Sequence, residues 1–372
     1  MFTSNNPFFP KNDDVPQFPV RTIAPGDFGN GVLVRTPNWL GDAVMTFPAL
    51  RQLKKMIPEN CGLMVLTPAP LAPLFKMLDC VDRVIPLRDA HAFPTLKERR
   101  EIRFSYPGAG FLFNNSFRDA LALKWACIPR LHGTAARFRS PLLRRAFDFP
   151  KRQDRVLNAP HQALKYLAIV RAAGAPEWDG LMPQLTPDPR QHVPERIARI
   201  LEGEKKLLLL APGAAYGSAK RWDPAHFRTV AEWWAGEGGL SLALGSAKEG
   251  PACEEAVRGL PEEAALSLAG LTSLNDLLII FRHAEFCLGN DSGLMHLAAA
   301  AGLPGAALFA STDPAATSPL SPDWIILYEK QECGPCFKRD CPDGSRRCFG
   351  PLTPEKAIEA LKRLRAEKDR KG

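Results

Sequence analysis

Two short runs, apolar on both faces and each handing over through a turn to a segment of helical period, constrain the fold of this chain most. They are "GVLVR" at 31–35 and "LLLLA" at 207–211. A strand that is apolar on successive residues suits a sheet buried on both sides. After the first run, "DAVMTFPALRQLKKM" continues at helical spacing, and "GLMVLTP", "LAPLFKMLDC" and "VDRVIPL" read as strand, helix and strand. The second run opens a similar series: helix "PAHFRTVAEWWAGEGG", strand "LSLALG", helices "PACEEAVRGL" and "LNDLLIIFRHA", strand "EFCLGND", helix "SGLMHLAAAAG" and strand "PGAALFAS". Alternation of this kind predicts an α/β protein with parallel sheets covered by helices. A chain of 372 residues also exceeds what one hydrophobic core usually serves, so two doubly wound, Rossmann-like domains are expected.

The punctuation supports that division. Residues 1–30 carry five prolines and read as an irregular N-terminal arm, and the first domain is expected over 31–180. Five more prolines between Ala175 and Pro194 mark a linker, placed at 181–200, before a second domain over 201–350. Thr353, Pro354 and Glu355 form a cap, a first-turn proline and a first-turn acid, and Ile358, Leu361 and Leu364 supply the buried stripe of a closing helix over 351–372. Two such domains leave a cleft at the carboxyl ends of their strands, where open parallel sheets bind ligands.

Composition narrows the partners. Hydrophobic residues at 45% and charged residues at 24% are ordinary for a globular protein. No apolar run approaches the roughly 18 residues that span a bilayer, and no secretory signal is visible after Met1, so a cytoplasmic protein is expected. A net charge of +8 suits anionic partners, whether nucleic acid, lipid or phosphorylated small molecules. Residues 130–155 hold eight Lys or Arg against two Asp, which reads either as a solvated basic face or as an anion contact. Of nine cysteines, Cys333, Cys336, Cys341 and Cys348 cluster as C-x2-C-x4-C-x6-C, a spacing that leaves a structural metal, a disulfide and free thiols all open.

Three loops carry candidate chemistry. "APGAAYGSAKRW" (211–222) leaves a buried strand. Gly213 and Gly217 would allow close backbone approach, and Lys220 supplies charge for a phosphate. It is neither a Walker A loop nor a G-x-G-x-x-G dinucleotide turn. In "GNDSGLMHLAAAAG" (289–302), Asp291 and Ser292 are capping residues, Gly293 opens the first helical turn to an anion, and His296 follows Ser292 by one turn. The bland alternative is a plain cap and a core histidine. "RTPNWLGDAVMTFPAL" (35–50) places Asp42 where a strand passes to a helix, as either a cap or a general base that stays ionised at neutral pH.

"VRTPNWLGDAVMTFPALRQLKK", "PGAAYGSAKRWDPAHF", "NDSGLMHLAAAAGLPGAALFASTDP" and "CGPCFKRDCP", in this order, resemble the ADP-heptose:lipopolysaccharide heptosyltransferases, and most closely the type II enzymes that add the second heptose. The resemblance implies a GT-B glycosyltransferase fold with the acceptor on the first domain, the ADP-sugar on the second, and the terminal helix packing back to the first. It implies inverting transfer with Asp42 as general base. Lys220 would meet the nucleotide phosphates, and Gly213, Asp291, Ser292, Gly293 and His296 would line the donor loop, with Glu249 on the ribose. The donor would be ADP-heptose, with no cofactor and no metal required. The acceptor would be an anionic lipid A-linked core oligosaccharide met at the inner face of the inner membrane, for which Arg137, Arg139, Arg144 and Arg145 are candidates. The alternatives are a heptosyltransferase for another core acceptor, or a non-catalytic nucleotide- or nucleic-acid-binding protein. No nucleic-acid module is recognisable, so nucleic acid is not an expected partner.

Overall fold

A computed structural model of the chain describes residues 5–150 and 160–371. It falls into two compact units, one formed by Pro10–Thr186 and the other by Pro187 onward together with the start of the arm up to Phe9.

The first unit is a six-stranded parallel sheet in the order β3-β2-β1-β4-β5-β6. Its strands are β1 (Gly31–Arg35), β2 (Gly62–Pro68), β3 (Arg83–Leu87), β4 (Ala109–Leu112), β5 (Arg130–Thr134) and β6 (Arg145–Phe147). Its helices are α1 (Leu40–Val44), α2 (Phe47–Met56), α3 (Ala72–Lys76), α4 (Leu96–Phe104), α5 (Phe117–Trp125) and α6 (Gln162–Arg171). The first two strands match the runs read from the sequence. Within the basic stretch, read as either a solvated face or an anion contact, the chain adds two strands to the sheet edge. His132 of β5 is buried there, while Lys151, Arg152 and Arg155 of that stretch lie outside the described residues. Residues 10–30 are anchored on this unit: Arg21 and Ile23 donate backbone hydrogen bonds to the carbonyls of Ala172 and Ala173, and Phe28 is buried.

In the second unit the order is β12-β11-β10-β7-β8-β9, again parallel. The strands are β7 (Leu207–Ala211), β8 (Leu240–Ala243), β9 (Ala265–Ser267), β10 (Ala284–Asn290), β11 (Gly305–Phe309) and β12 (Trp324–Tyr328). Its helices are α7 (Glu195–Leu201), which forms inside the stretch read as linker, α8 (Pro224–Gly236), α9 (Gly250–Glu255), α10 (Leu274–His283), α11 (Gly293–Ala300), α12 (Pro314–Thr317) and α13 (Pro354–Lys371). Trp222, Phe227, Val230 and Trp234 share one core with Phe286, Leu288, Ala306 and Leu308. Ala357, Leu361 and Leu364 of α13 complete that same core, so the closing helix, expected to pack back to the first domain, is part of the second unit. Its apolar stripe needs a sheet face, and α8 with β11 and β12 supplies one. The start of the arm also lies here: the Asn6 side-chain amide donates to the carbonyls of Pro319 and Ser321.

Both sheets place β1 beside β4 and β7 beside β10, where the strand order reverses. Ligand sites in doubly wound sheets form at this reversal, outside the carboxyl ends of those strands. The loops after β1, β7 and β10 are the three that carry the candidate chemistry. Among the described residues, no helix is long and apolar enough to cross a membrane.

Candidate active site

Asp291 is the centre of the second unit's site. It follows β10 directly, is almost wholly buried, and its Oδ2 lies 2.6 Å from Lys220 Nζ. Thr312, just beyond β11, donates its hydroxyl to the same oxygen at 2.6 Å. His296 Nε2 lies 3.7 Å from Oδ1. Burial alone would push the Asp291 carboxyl up, but the Lys220 charge and the His296 imidazole outweigh it and hold the group well below the usual carboxylate range. The four side chains come from three different loops, so the pair forms only once β7, β10 and β11 are aligned.

Asn290 fixes the loop that carries Lys220. Its amide donates to the Pro212 carbonyl at 2.8 Å and its Oδ1 accepts the Trp222 backbone N–H at 3.0 Å, clamping both ends of the 213–221 turn. Ser292 occupies the N-cap position of α11 without a side-chain cap bond, and its buried hydroxyl has no partner. The Nδ1 of His296 is likewise buried and unpartnered. Buried polar groups are normally satisfied, so two unpartnered polar atoms at the start of a helix, whose first N–H groups are also free, fit the binding of an anion.

The glycines of the 211–222 loop, expected to admit a phosphate, also have neighbours within the protein. A Cβ on Gly217 would stand 2.2 Å from the Arg339 carbonyl oxygen, and one on Gly213 would stand 2.3 Å from Glu249 Oε1. The close approach at each comes from the protein itself. Glu249, expected on a ribose, also caps its own turn, where its Oε2 accepts from the backbone N–H and the hydroxyl of Ser246 at 2.8 Å each. The segment holding the cysteine cluster latches onto the 211–222 loop: Ala219 N–H donates to the Arg339 carbonyl, Tyr216 Oη to the Phe337 carbonyl and Ser218 Oγ to Asp340. All four clustered cysteines are free thiols. Burial and the neighbouring Cys333, Cys336 and Cys341 push the Cys348 thiol up to about 11. Among the described residues no group of three or more His, Cys, Asp or Glu is arranged to hold a metal.

In the first unit, Asp42 is the third residue of α1, and the cap position belongs to Trp39, whose side chain caps nothing. Asp42 is half-buried, so its carboxylate combines partial shielding with access. Its charge reaches the buried Tyr166 of α6: burial first, and the Asp42 carboxylate second, drive the phenol's pKa far up. The loop that presents Asp42 is held by Arg35, which is fully buried at the end of β1. Its Nε lies 2.8 Å from Asp119 Oδ2 and its Nη2 donates to Asn38 Oδ1 at 2.8 Å. Neither Arg35 nor Asp119 was expected in the site, although an arginine ending an apolar strand is a signal of a buried partner.

The four arginines expected on an acceptor divide. Arg139 is wholly buried, donating to the Thr134 carbonyl, the Thr134 hydroxyl and the Asn114 carbonyl at 2.9, 2.7 and 2.6 Å, so it is a strut between loops and not a surface contact. Arg145 ties the arm to the sheet by donating to the Pro19 carbonyl at 2.6 Å. Arg137 and Arg144 are exposed.

Comparison with known proteins matches the description glycosyltransferase family 9 (heptosyltransferase) to residues 100–346. The chain is 32% identical to lipooligosaccharide heptosyltransferase 2 of Haemophilus influenzae, covering 90% of this chain and 99% of that one. It is 31% identical to lipopolysaccharide heptosyltransferase 2 of Salmonella typhimurium over 90% and 99% of the two chains. The structure of ADP-heptose lps heptosyltransferase II from E. coli superimposes with a TM-score of 0.73 at 26% identity, over 91% of this chain and 99% of that one. A buried, anion-ready helix start at the reversal point of a doubly wound sheet and similarity along nine-tenths of the chain lead to one assignment: the chain belongs to glycosyltransferase family 9, the heptosyltransferases, and is a GT-B enzyme of lipopolysaccharide core biosynthesis.

Proposed function

We propose that the protein transfers heptose, with inversion, from ADP-L-glycero-D-manno-heptose to the first heptose of the inner core on heptosyl-Kdo2-lipid A. The observation that carries the donor half of this reading is the cradle of Lys220, Asp291, Ser292 and His296, in which the two orphaned polar atoms lie beside the free N–H groups of α11. A departing diphosphate gains negative charge as the bond to the anomeric carbon breaks, and a preorganised cation and helix start stabilise it there. Asp291 is a positioning residue: it holds the Lys220 ammonium in place rather than touching the sugar. Asp42 takes the proton of the attacking acceptor hydroxyl, the hydroxyl oxygen bonds to the anomeric carbon, and ADP leaves with the electron pair of the broken bond. These residues supply both the base and the charge stabilisation, and no metal is required. The choice of the second-heptose acceptor follows the names of the relatives above, and the exposed Arg137 and Arg144 are the remaining candidates for contact with its anionic groups.

Incubation with ADP-heptose and lipid A acceptors bearing zero, one or two heptoses tests this directly. ADP release and product mass should show transfer to the one-heptose acceptor. Transfer confined to the heptose-free acceptor overturns the acceptor assignment, and absence of transfer to all three overturns the reaction.

A further inference from the structure

Among the described residues twelve large hydrophobic side chains are exposed, and six of them lie between Phe93 and Trp125. That concentration has a structural origin. Helices α4 and α5 cover the same face of the first sheet, since Ile102 from one and Ala120 and Leu123 from the other share a core with Leu33, Met64 and Leu66. With those positions turned inward, helical periodicity turns Leu96, Arg100, Arg103 and Phe104 of α4 and Phe117, Lys124 and Trp125 of α5 outward. Leu96, Phe104 and Trp125 are 66%, 65% and 57% exposed. The loop between β3 and α4 extends the surface onto α5: Phe93 stacks on Trp125 with ring centroids 5.7 Å apart, and Arg118 donates to the Ala90 carbonyl at 2.7 Å.

The exposed charge of the two helices is one-sided, and the loop before them adds the exposed Asp89, whose Oδ1 accepts the His91 backbone N–H. Glu98 is turned inward, accepting the Arg88 backbone N–H at 2.7 Å, Glu101 pairs with Arg83 at 3.1 Å, and Asp119 pairs with the buried Arg35. Lys97, Arg100, Arg103 and Lys124 are exposed and form no ion pair among the described residues. Aromatic and aliphatic side chains interleaved with unpaired cations are what an interfacial surface uses, the rings entering the headgroup boundary and the cations meeting anionic headgroups. A protein partner of the usual kind would favour a face with fewer charged side chains at its centre, and with lysine scarce.

We propose that the outward face of α4, α5 and the Phe93 loop docks on an anionic lipid surface. Its purpose rests on the reading that the acceptor is lipid-linked, but the test does not use the acceptor. The full chain should co-sediment with phosphatidylglycerol-containing vesicles, weakly with purely phosphatidylcholine vesicles, and less at high salt. Trp125→Ala with Phe93→Ala, and separately Arg100→Glu with Arg103→Glu, should each reduce partitioning by about tenfold or more, while melting temperature and transfer to a deacylated, soluble acceptor stay unchanged. Equal binding of wild type and both variants, or no binding to anionic vesicles, overturns the proposal. So does a dimer that Trp125→Ala dissolves in the absence of vesicle binding, which would make this face a contact between copies. Loss of transfer to the soluble acceptor in wild type would instead strike the enzymatic reading and leave the vesicle result standing.

Discussion

Asp42, Lys220 and Asp291 each stand where a single change separates chemistry from structure. If Asp42 is the base, Asp42→Asn removes proton acceptance while keeping shape, so turnover should fall by about 10²–10⁴-fold with ADP-heptose affinity nearly intact. Persisting turnover with a lowered melting temperature would reduce Asp42 to a first-turn acid. Lys220 is different, because its removal leaves the Asp291 charge buried without its cation. Lys220→Ala should therefore cost about 3–5 kcal/mol, and the further change Asp291→Ala should restore part of it, measured by urea unfolding. The sign of the accompanying pH effect follows from the depressed folded-state value of Asp291. The stabilisation is fully present above the unfolded value of about 3.9 and is lost as pH falls further, so the wild type should lose this contribution only in strong acid. His132 acts in a milder range. Burial, then Arg145, Arg130 and Arg144, lower its pKa to about 4. Between that value and the unfolded value of about 6.5 only the unfolded chain binds the proton, so stability falls as pH falls through this window, by about 2 kcal/mol from pH 7.5 to pH 5. His132→Phe, which keeps a ring against Phe111, should flatten that slope in unfolding titrations at the two pH values. An unchanged slope would show that His132 is not its source.

At the scale of elements, legibility followed the apolar runs. β1, β2, β7 and β11 are continuous and read directly, because burial on both faces writes itself into successive residues. β4 ("AGFL") spans only four residues, β5 ("RLHGT") has Leu131 as its single apolar side chain, and both become strands through pairing with β1 and with each other, so their signal is in the partner and not in the segment. In the 211–222 loop the charges stand out in the sequence, whereas the reason for its glycines does not. Gly217 is close to the Arg339 carbonyl, a neighbour more than a hundred residues away that no local pattern announces. This contact gives a prediction about the latch. Gly217→Val must displace backbone, since the obstructing atom is a carbonyl that cannot swing aside, and the hydrogen bonds from Ala219 and Tyr216 to the cysteine-bearing segment should go with it. ADP-heptose affinity should fall about tenfold or more through loss of a preorganised Lys220, in isothermal titration, while the protein remains folded. Unaltered affinity would show that the latch does not set the loop.

For the whole molecule, the sequence makes the number of domains and their class plain, whereas the assignment of the terminal helix required the tertiary structure. An amphipathic stripe of Ile358, Leu361 and Leu364 says that α13 needs an apolar partner but not which one. In the structure the partner is the core around Trp222, whose indole N–H also donates to the Leu352 carbonyl at 2.7 Å, just before the helix. Arg365 adds a guanidinium over the Trp234 ring at 4.8 Å. Leu361 is fully buried, and Leu361→Ala should leave a cavity costing about 2–5 kcal/mol. The two units have separate cores, so the location of that loss discriminates between the two placements of α13. Trp222, Trp234 and Trp324 are all fully buried in the second unit, and their fluorescence should report unfolding at lower urea in Leu361→Ala, with bound ADP released in the same transition. The unfolding step that responds to His132→Phe should keep its midpoint, because His132 belongs to the first sheet. If Leu361→Ala instead moved the step sensitive to His132, the helix would be supporting the first unit, and its packing on α8, β11 and β12 would be wrong.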